Sequence, residues 1–190
     1  GVEGVLPICI GQATRIAEYL TDTGKTYEAV VSIGRTTTTE DAEGETVEQN
    51  NDFKSFTRAQ ILAALQSLTG EIEQTPPMFS AVKVNGKKLY EYARAGQTVE
   101  RPTRKITIHA LELLSDDETF EGEEVRFSIR IKCSKGTYIR TLAVQIGEAL
   151  GVPAHMHELV RTMSGTFHEG NCLTLAQVAE KMDAGDLSFL

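Results

Sequence analysis

Residues Val125-Arg126-Phe127-Ser128-Ile129-Arg130-Ile131-Lys132-Cys133 alternate without a break between apolar and polar side chains, and no other pattern in the chain is as restrictive. A period of two fits only an extended strand, because successive side chains of a strand point to opposite faces. One face of this strand must meet a core, while the other is polar and basic. Weaker alternation runs through Lys105 to Leu113, where Ile106, Ile108 and Ala110 share a side, and Tyr27 to Ile33 is rich in β-formers before Gly34. Strands with polar outer faces favour an antiparallel or mixed sheet.

Helices are predicted at Thr57 to Leu68, Thr141 to Leu150 and Thr174 to Met182. The first carries Ile61, Leu62, Leu65 and Leu68 as one stripe, a capping box in Thr57 and Gln60, and Gly70 as its stop. The second stops at Gly151, and the third repeats the box with Thr174 and Gln177. Strands and helices follow one another without a regular βαβ repeat, so the fold class is α+β: flanking helices on a mainly antiparallel, mixed sheet.

A chain of 190 residues with 41% hydrophobic content can bury one substantial core. Its net charge of −8 argues against a polyanionic partner only until the distribution is considered. Residues 83–105 hold Lys83, Lys87, Lys88, Arg94, Arg101, Arg104 and Lys105 against only Glu91 and Glu100. Residues 130–140 add Arg130, Lys132, Lys135 and Arg140 with no acid. Nearly half of the 27 carboxylates lie in two acidic stretches, Glu40 to Asp52 and Glu112 to Glu124. The chain is polarised, although either basic run alone reads as a solvated face.

Cys9, Cys133 and Cys172 are odd in number and far apart, which suggests neither a disulfide framework nor a zinc knuckle and fits a reducing cytoplasm. No apolar run approaches a membrane span, and no export signal is visible. The opening Gly1-Val2-Glu3-Gly4-Val5, without initiator Met or helix cap, reads as a chain cut mid-element.

Four familiar motifs fail. Gly24-Lys25-Thr26 imitates the end of a phosphate loop, but Tyr19 stands where that loop needs glycine. His155 and His157, with His168 and Cys172, have no zinc spacing and read as polar surface residues. Neither GxSxG nor HExxH occurs.

Four segments remain that combine sharp turns, aromatics and positive charge. The first is Gly24-Lys25-Thr26-Tyr27 with the Gly34-Arg35-Thr36-Thr37-Thr38-Thr39-Glu40-Asp41 stretch that follows. The second runs from Gln74-Thr75-Pro76-Pro77-Met78-Phe79 to Asn85-Gly86-Lys87-Lys88-Leu89-Tyr90. There the proline pair fixes an extended backbone and Asn-Gly signals a hairpin. A rigid basic hairpin can track a phosphate backbone. The third, Cys133 to Leu142, turns at Gly136 from strand to helix and presents Tyr138 and Arg140, an arginine placed to hold a carboxylate or phosphate. The fourth, His155 to Phe167, contains Leu159, Arg161 and Met163-Ser164-Gly165. Taken singly, Tyr27 and Leu159 also read as core residues and Arg140 as a structural ion pair.

Together, and in this order, the segments resemble the TruB family of tRNA pseudouridine synthases. Gly4-Val5-Leu6-Pro7 to Gly11-Gln12-Ala13-Thr14 looks like the stretch after that family's aspartate loop, and Lys25-Thr26-Tyr27 like its Lys-x-Tyr element. The resemblance implies a pseudouridine synthase fold that acts, without cofactor or metal, as a monomer on the T-loop uridine of tRNA. It also implies a flipped base, because a base inside a folded loop is out of reach. On the same basis Tyr27 packs against the base and helps move the C5 proton, and Arg140 pairs with the catalytic aspartate. Tyr138 and Leu159 line the base pocket, while Lys83, Lys87, Lys88 and Lys135 meet RNA.

The departures concern the ends. The family's aspartate belongs to a loop before the first residue here, and Asp22 and Asp41 lie outside the matching motif. Residues 1–168 are therefore expected to be the central part of a catalytic domain without its N-terminal part, and 169–190 the helical start of a truncated C-terminal region. On that expectation the piece is inactive alone. A non-catalytic module gripping the tRNA T-loop and elbow, and a plain acidic interaction domain, are the alternatives.

Overall fold

The computed structural model describes residues 3–17 and 24–188. Tyr19 and Asp22 lie outside the described residues. The centre of the molecule is a sheet built on β11 (Val125–Cys133), the strand with the unbroken alternation. It pairs antiparallel on one side with β2 (Lys25–Ile33) and on the other with β9 (Arg104–Leu113). Beyond β9 comes β6 (Gly70–Gln74), and beyond β2 comes β12 (Ala154–Ser164), both antiparallel. The edge strand β1 (Glu3–Gly4) joins β12 in parallel, and β13 (Phe167–His168) also pairs with β12. The sheet order is thus β1-β12-β2-β11-β9-β6, mixed but mainly antiparallel, as the alternation predicts.

The apolar face of β11 supplies Val125, Phe127, Ile129, Ile131 and Cys133 to the core, each at most 2% exposed. Helices α1 (Arg58–Ser67) and α3 (Ile139–Leu150) cover it with Ile61, Leu65, Leu142 and Ile146. Thr57 and Gln60 form the expected capping box, which satisfies two backbone donors at the start of α1. The predicted stripe is only partly right, since Leu62 is 43% exposed and Ala64 takes its place. Gly70 does not stop α1, whose C-cap is Leu68; it opens β6 at φ 104°. Helix α3 begins two residues earlier than predicted and ends on a left-handed Gly151, while α4 (Leu175–Asp183) starts at the Thr174–Gln177 box.

The polar face of β11 is less basic than its sequence suggests. Arg130 pairs with Glu28 on β2 at 2.8 Å and with Glu112 on β9 at 3.2 Å, and Lys132 lies 3.5 Å from Glu112. Strand pairing has brought acids from both neighbours beside these cations.

Shorter pieces surround the sheet. Strands β3 (Arg35–Thr37) and β4 (Thr46–Gln49) form a hairpin, and β5 (Lys54–Thr57) pairs with β10 (Thr119–Gly122). Strands β7 (Lys83–Val84) and β8 (Lys87–Lys88) flank the Asn85-Gly86 turn and lead into α2 (Leu89–Arg94). Both turn residues have positive φ, 51° and 82°, the geometry that makes Asn-Gly a hairpin signal.

His155 is the clearest correction. It is not on the surface: it is 0% exposed, and its Nδ1 lies 3.0 Å from the carbonyl oxygen of Arg35. It sits on β12 where that strand packs under the β3 turn. No segment of that length in the sequence announces β12 as a strand, because register shifts at Met156/Glu158 and Arg161/Met163 break its alternation.

Candidate active site

Arg140 occupies the first turn of α3, reached from β11 through the turn at Gly136, whose φ is 76°. Its Nη1 donates to the carbonyl of Thr39 at 2.9 Å and to Asp41 Oδ2 at 3.0 Å, and its Nη2 donates to the carbonyl of Phe79 at 3.2 Å. A guanidinium has five N–H donors, and among the described residues Nε–H and one Nη2–H meet no protein acceptor, which leaves them open to water or an anion. Asp41, set aside in the sequence, is the carboxylate that this arginine binds. Burial alone would raise its carboxyl. Hydrogen bonds from Thr39 Oγ1, the Glu43 N–H and Arg140, together with the charge of Arg140, outweigh burial and hold Asp41 below the usual carboxylate range.

The loop that presents Asp41 is held from several sides. Thr37 Oγ1 donates to the Asp41 carbonyl at 2.5 Å, and the Met156 N–H on β12 donates to the Glu40 carbonyl at 3.0 Å. Glu40 adopts φ 61°, the left-handed region that non-glycine residues rarely occupy. Its carboxyl accepts from Thr141 Oγ1 at 2.7 Å, one residue past Arg140. Burial pushes the Glu40 carboxyl up, against the lowering influence of Thr141, Arg140 and Arg101.

Tyr27 and Leu159 lie on the core face of the sheet, the face that the helices cover. Leu159 pairs with Ala29 and Arg161 with Tyr27, so these side chains share one face of β2 and β12. Tyr27 and Leu159 are half-buried and pack against the core. Burial pushes the Tyr27 phenol above its ordinary value, while a hydrogen bond with Arg161 and that cation's charge work the other way. Arg161, to which the sequence assigns no role, ties this face to the segment at Val5, its Nε donating to the Val5 carbonyl at 2.7 Å. Among the described residues no hydrogen bond joins Tyr27 to Arg140.

Tyr138 is the N-cap residue of α3, and its backbone is gripped by Gln74, to which no sequence pattern assigns a role. Lys83, Lys87 and Lys88 stand together in the hairpin, where Lys83 and Lys88 are directly opposed. Like charges facing across strands repel, a cost an anionic ligand would remove. Lys87 lies over the Tyr92 ring at 5.9 Å, and Lys88 and Arg94 over the Tyr90 ring at 5.4 and 5.2 Å. Arg101 and Lys83 line an open groove beside the hairpin. Lys135 is exposed on the turn before α3. Among the described residues no group of three or more His, Cys, Asp or Glu side chains could hold a metal, and no helix is long and apolar enough to cross a membrane.

The family model of the TruB family pseudouridylate synthase N-terminal domain matches residues 1–139, and that of the tRNA pseudouridylate synthase B C-terminal domain matches 140–187. The chain belongs to the TruB family of pseudouridylate synthases. It is 59% identical over 189 residues to tRNA pseudouridine synthase B of Geobacillus thermodenitrificans (strain NG80-2), covering 100% of this chain and 63% of that protein. With the protein of the same name from Bacillus cereus (strain ATCC 14579) identity is 60%, covering 100% of this chain and 62% of the other. The chain thus spans a little over three-fifths of these curated relatives. Among solved structures it resembles a chain of a Cbf5-Nop10-Gar1 complex, with TM-score 0.66 and 30% identity over 99% of this chain and 46% of that one. It also resembles a chain of an H/ACA RNP bound to a substrate RNA containing 2'-deoxyuridine, with TM-score 0.63 and 26% identity over 99% and 44%.

Proposed function

We propose that residues 1–168 form the central part of the catalytic domain of a tRNA pseudouridine synthase, and that residues 169–190 begin its C-terminal region. The enzyme isomerises the T-loop uridine, position 55, of tRNA. The observation that carries this reading is Arg140: a half-buried guanidinium on a rigid strand-to-helix junction, with two N–H donors left over, in a chain of the TruB family.

In this scheme the uridine is flipped out of the T-loop and held between Tyr27, Tyr138 and Leu159. The N1–C1′ bond breaks, the base turns, C5 joins C1′, the C5 proton leaves and N1 gains one, so atoms balance without an external reagent. An aspartate working at the sugar needs to be ionised, and a cation beside it favours that state. Arg140 supplies the cation through Nε–H and Nη2–H, while Asp41 and the two carbonyls keep it aimed. Tyr27, its phenol raised by burial and therefore neutral at ordinary pH, faces the base and helps move the C5 proton. Lys83, Lys87, Lys88 and Lys135 contact phosphates. No cofactor or metal enters the scheme, and the enzyme works as a monomer in the cytoplasm.

The aspartate itself is supplied from outside residues 1–190, so this chain alone binds tRNA without turnover. Tritium release from C5-labelled uridine in unmodified tRNA tests both statements. Release by the full-length protein and none by residues 1–190 is the expected result. Release by neither, with salt-dependent tRNA binding by both, would replace the enzyme with a binding module for the T-loop and elbow.

A further inference from the structure

The carboxamide of Gln74 spends both of its polar ends on one residue of another element. Gln74 closes β6 and is 1% exposed. Its Oε1 accepts the Tyr138 N–H at 2.9 Å and its Nε2 donates to the Tyr138 carbonyl at 3.2 Å, the two bonds a neighbouring strand would make. The second Nε2 proton goes to Gln145 Oε1 at 3.0 Å, and the Gln145 amide reaches back to the Glu73 carbonyl at 2.9 Å.

Tyr138 needs such a partner. As N-cap of α3 it makes no side-chain capping bond, and from within the helix its carbonyl accepts the first bond, from the Leu142 N–H at 3.0 Å. A helix start is short of acceptors for its N–H groups and is ordinarily satisfied by its own Ser, Thr, Asp or Asn. Here a side chain from a strand 64 residues earlier does part of that work.

The chain leaving Gln74 then returns to the same place. Thr75-Pro76-Pro77 holds it extended, Arg101 Nη1 donates to the Pro76 carbonyl at 3.0 Å, and the Phe79 carbonyl accepts from Arg140 Nη2. Gln74, Tyr138, Arg140 and Phe79 therefore form a closed ring of bonds, with two prolines on the segment between Gln74 and Phe79.

We propose that Gln74 is a positioning residue: its amide fixes the Tyr138 backbone and thereby sets the direction in which Arg140 presents its remaining donors. The assignment rests on the pseudouridine synthase reading for its catalytic consequence, but not for its structural one.

Gln74→Met, which keeps the volume and removes the amide, separates the two when made in the full-length protein. Amide exchange at Tyr138 should speed up at least about tenfold while Ile129 and Ile131 in β11 keep their protection. The single-turnover rate on tRNA should fall roughly 10- to 100-fold with the tRNA Kd changed by less than about threefold, because misaimed catalytic groups cost rate more than binding. Thr57→Ala, which weakens α1 away from the site, controls for stability and should lower the melting temperature with the rate retained. Unchanged Tyr138 exchange in Gln74→Met, or a rate loss that Thr57→Ala reproduces, would overturn the assignment. A wild-type protein that releases no tritium while Tyr138 exchange still responds would leave the clamp standing and remove the reaction it serves.

Discussion

Arg140 is the residue whose surroundings admit the fewest uses. Three of its donors are satisfied by Thr39, Asp41 and Phe79, and among the described residues the other two meet no protein acceptor, which leaves them to solvent or to an anion. In the full-length protein Arg140→Met should lower turnover on the order of 100- to 1,000-fold, the range for removing one preorganised charge partner, with tRNA binding nearly retained. Parallel rate and binding assays decide it, and retained turnover would end the assignment. Glu40 makes a different prediction. Burial raises its carboxyl, so the unfolded chain gives up that proton at lower pH than the folded one, and folding loses stability as pH rises from about 4.5 through the folded value. Glu40→Gln keeps an acceptor for Thr141 without the buried charge. The variant should therefore melt higher than the wild type at pH 7, with the gap closing toward pH 4, as calorimetry at the two pH values would reveal.

At the scale of elements, the hairpin β7–β8 is the part whose role is read most directly from charge. Lys83 and Lys88 face each other, and Lys87 and Lys88 lie over tyrosine rings, so cation density is held in place before any anion arrives. Replacing Lys83, Lys87 and Lys88 together by Ala should weaken tRNA binding at low salt and reduce the slope of log K against log salt by about 2 to 3, roughly one per lost phosphate contact. A salt titration in which wild type and variant run parallel would remove the hairpin from the interface. Elements of this kind were legible in the sequence because one local rule governs each: Asn85-Gly86 for the turn, unbroken alternation for β11, capping boxes for α1 and α4. The strand β12 was not, because its two register shifts destroy the period that would reveal it. The same limit applied to the site. Tyr138 and Arg140 stand on a visible strand-to-helix junction, whereas Asp41, 99 residues from Arg140, and Gln74, 64 from Tyr138, acquire partners only through tertiary pairing that no spacing encodes.

Across the whole molecule, pairing of β5 with β10 gathers the two acidic stretches into one region, where Ser55 donates to Glu121 and the Lys54 ammonium is enclosed by the carbonyls of Asn50, Asp52 and Glu123. His155 joins the central sheet to the β3–β4 hairpin that leads into this region. It is wholly buried, its Nδ1 bonded to the Arg35 carbonyl, which makes that nitrogen the protonated one in the neutral ring; its Nε2 has no partner among the described residues. Burial pushes its pKa below 6.5, the Arg35 carbonyl and Glu124 oppose that, and the Arg35 and His157 charges add to it. Because the folded value lies below the unfolded one, the unfolded chain takes up the proton first. Stability contributed by neutral His155 is therefore full above about pH 6.5 and is lost as pH falls from there through the folded value. Asp41 acts only at lower pH, since its lowered carboxyl gives stability that is lost below about 3.9, and Glu40 changes stability in the opposite direction. The His155 contribution should accordingly lower the wild-type melting temperature as pH falls from 7.5 to 5.5, with Glu40 working against it. In His155→Gln, whose amide can still donate to the Arg35 carbonyl but does not titrate, the fall should be smaller even if the variant is less stable throughout. Equal slopes in the two proteins would assign the acid sensitivity to groups elsewhere in the fold.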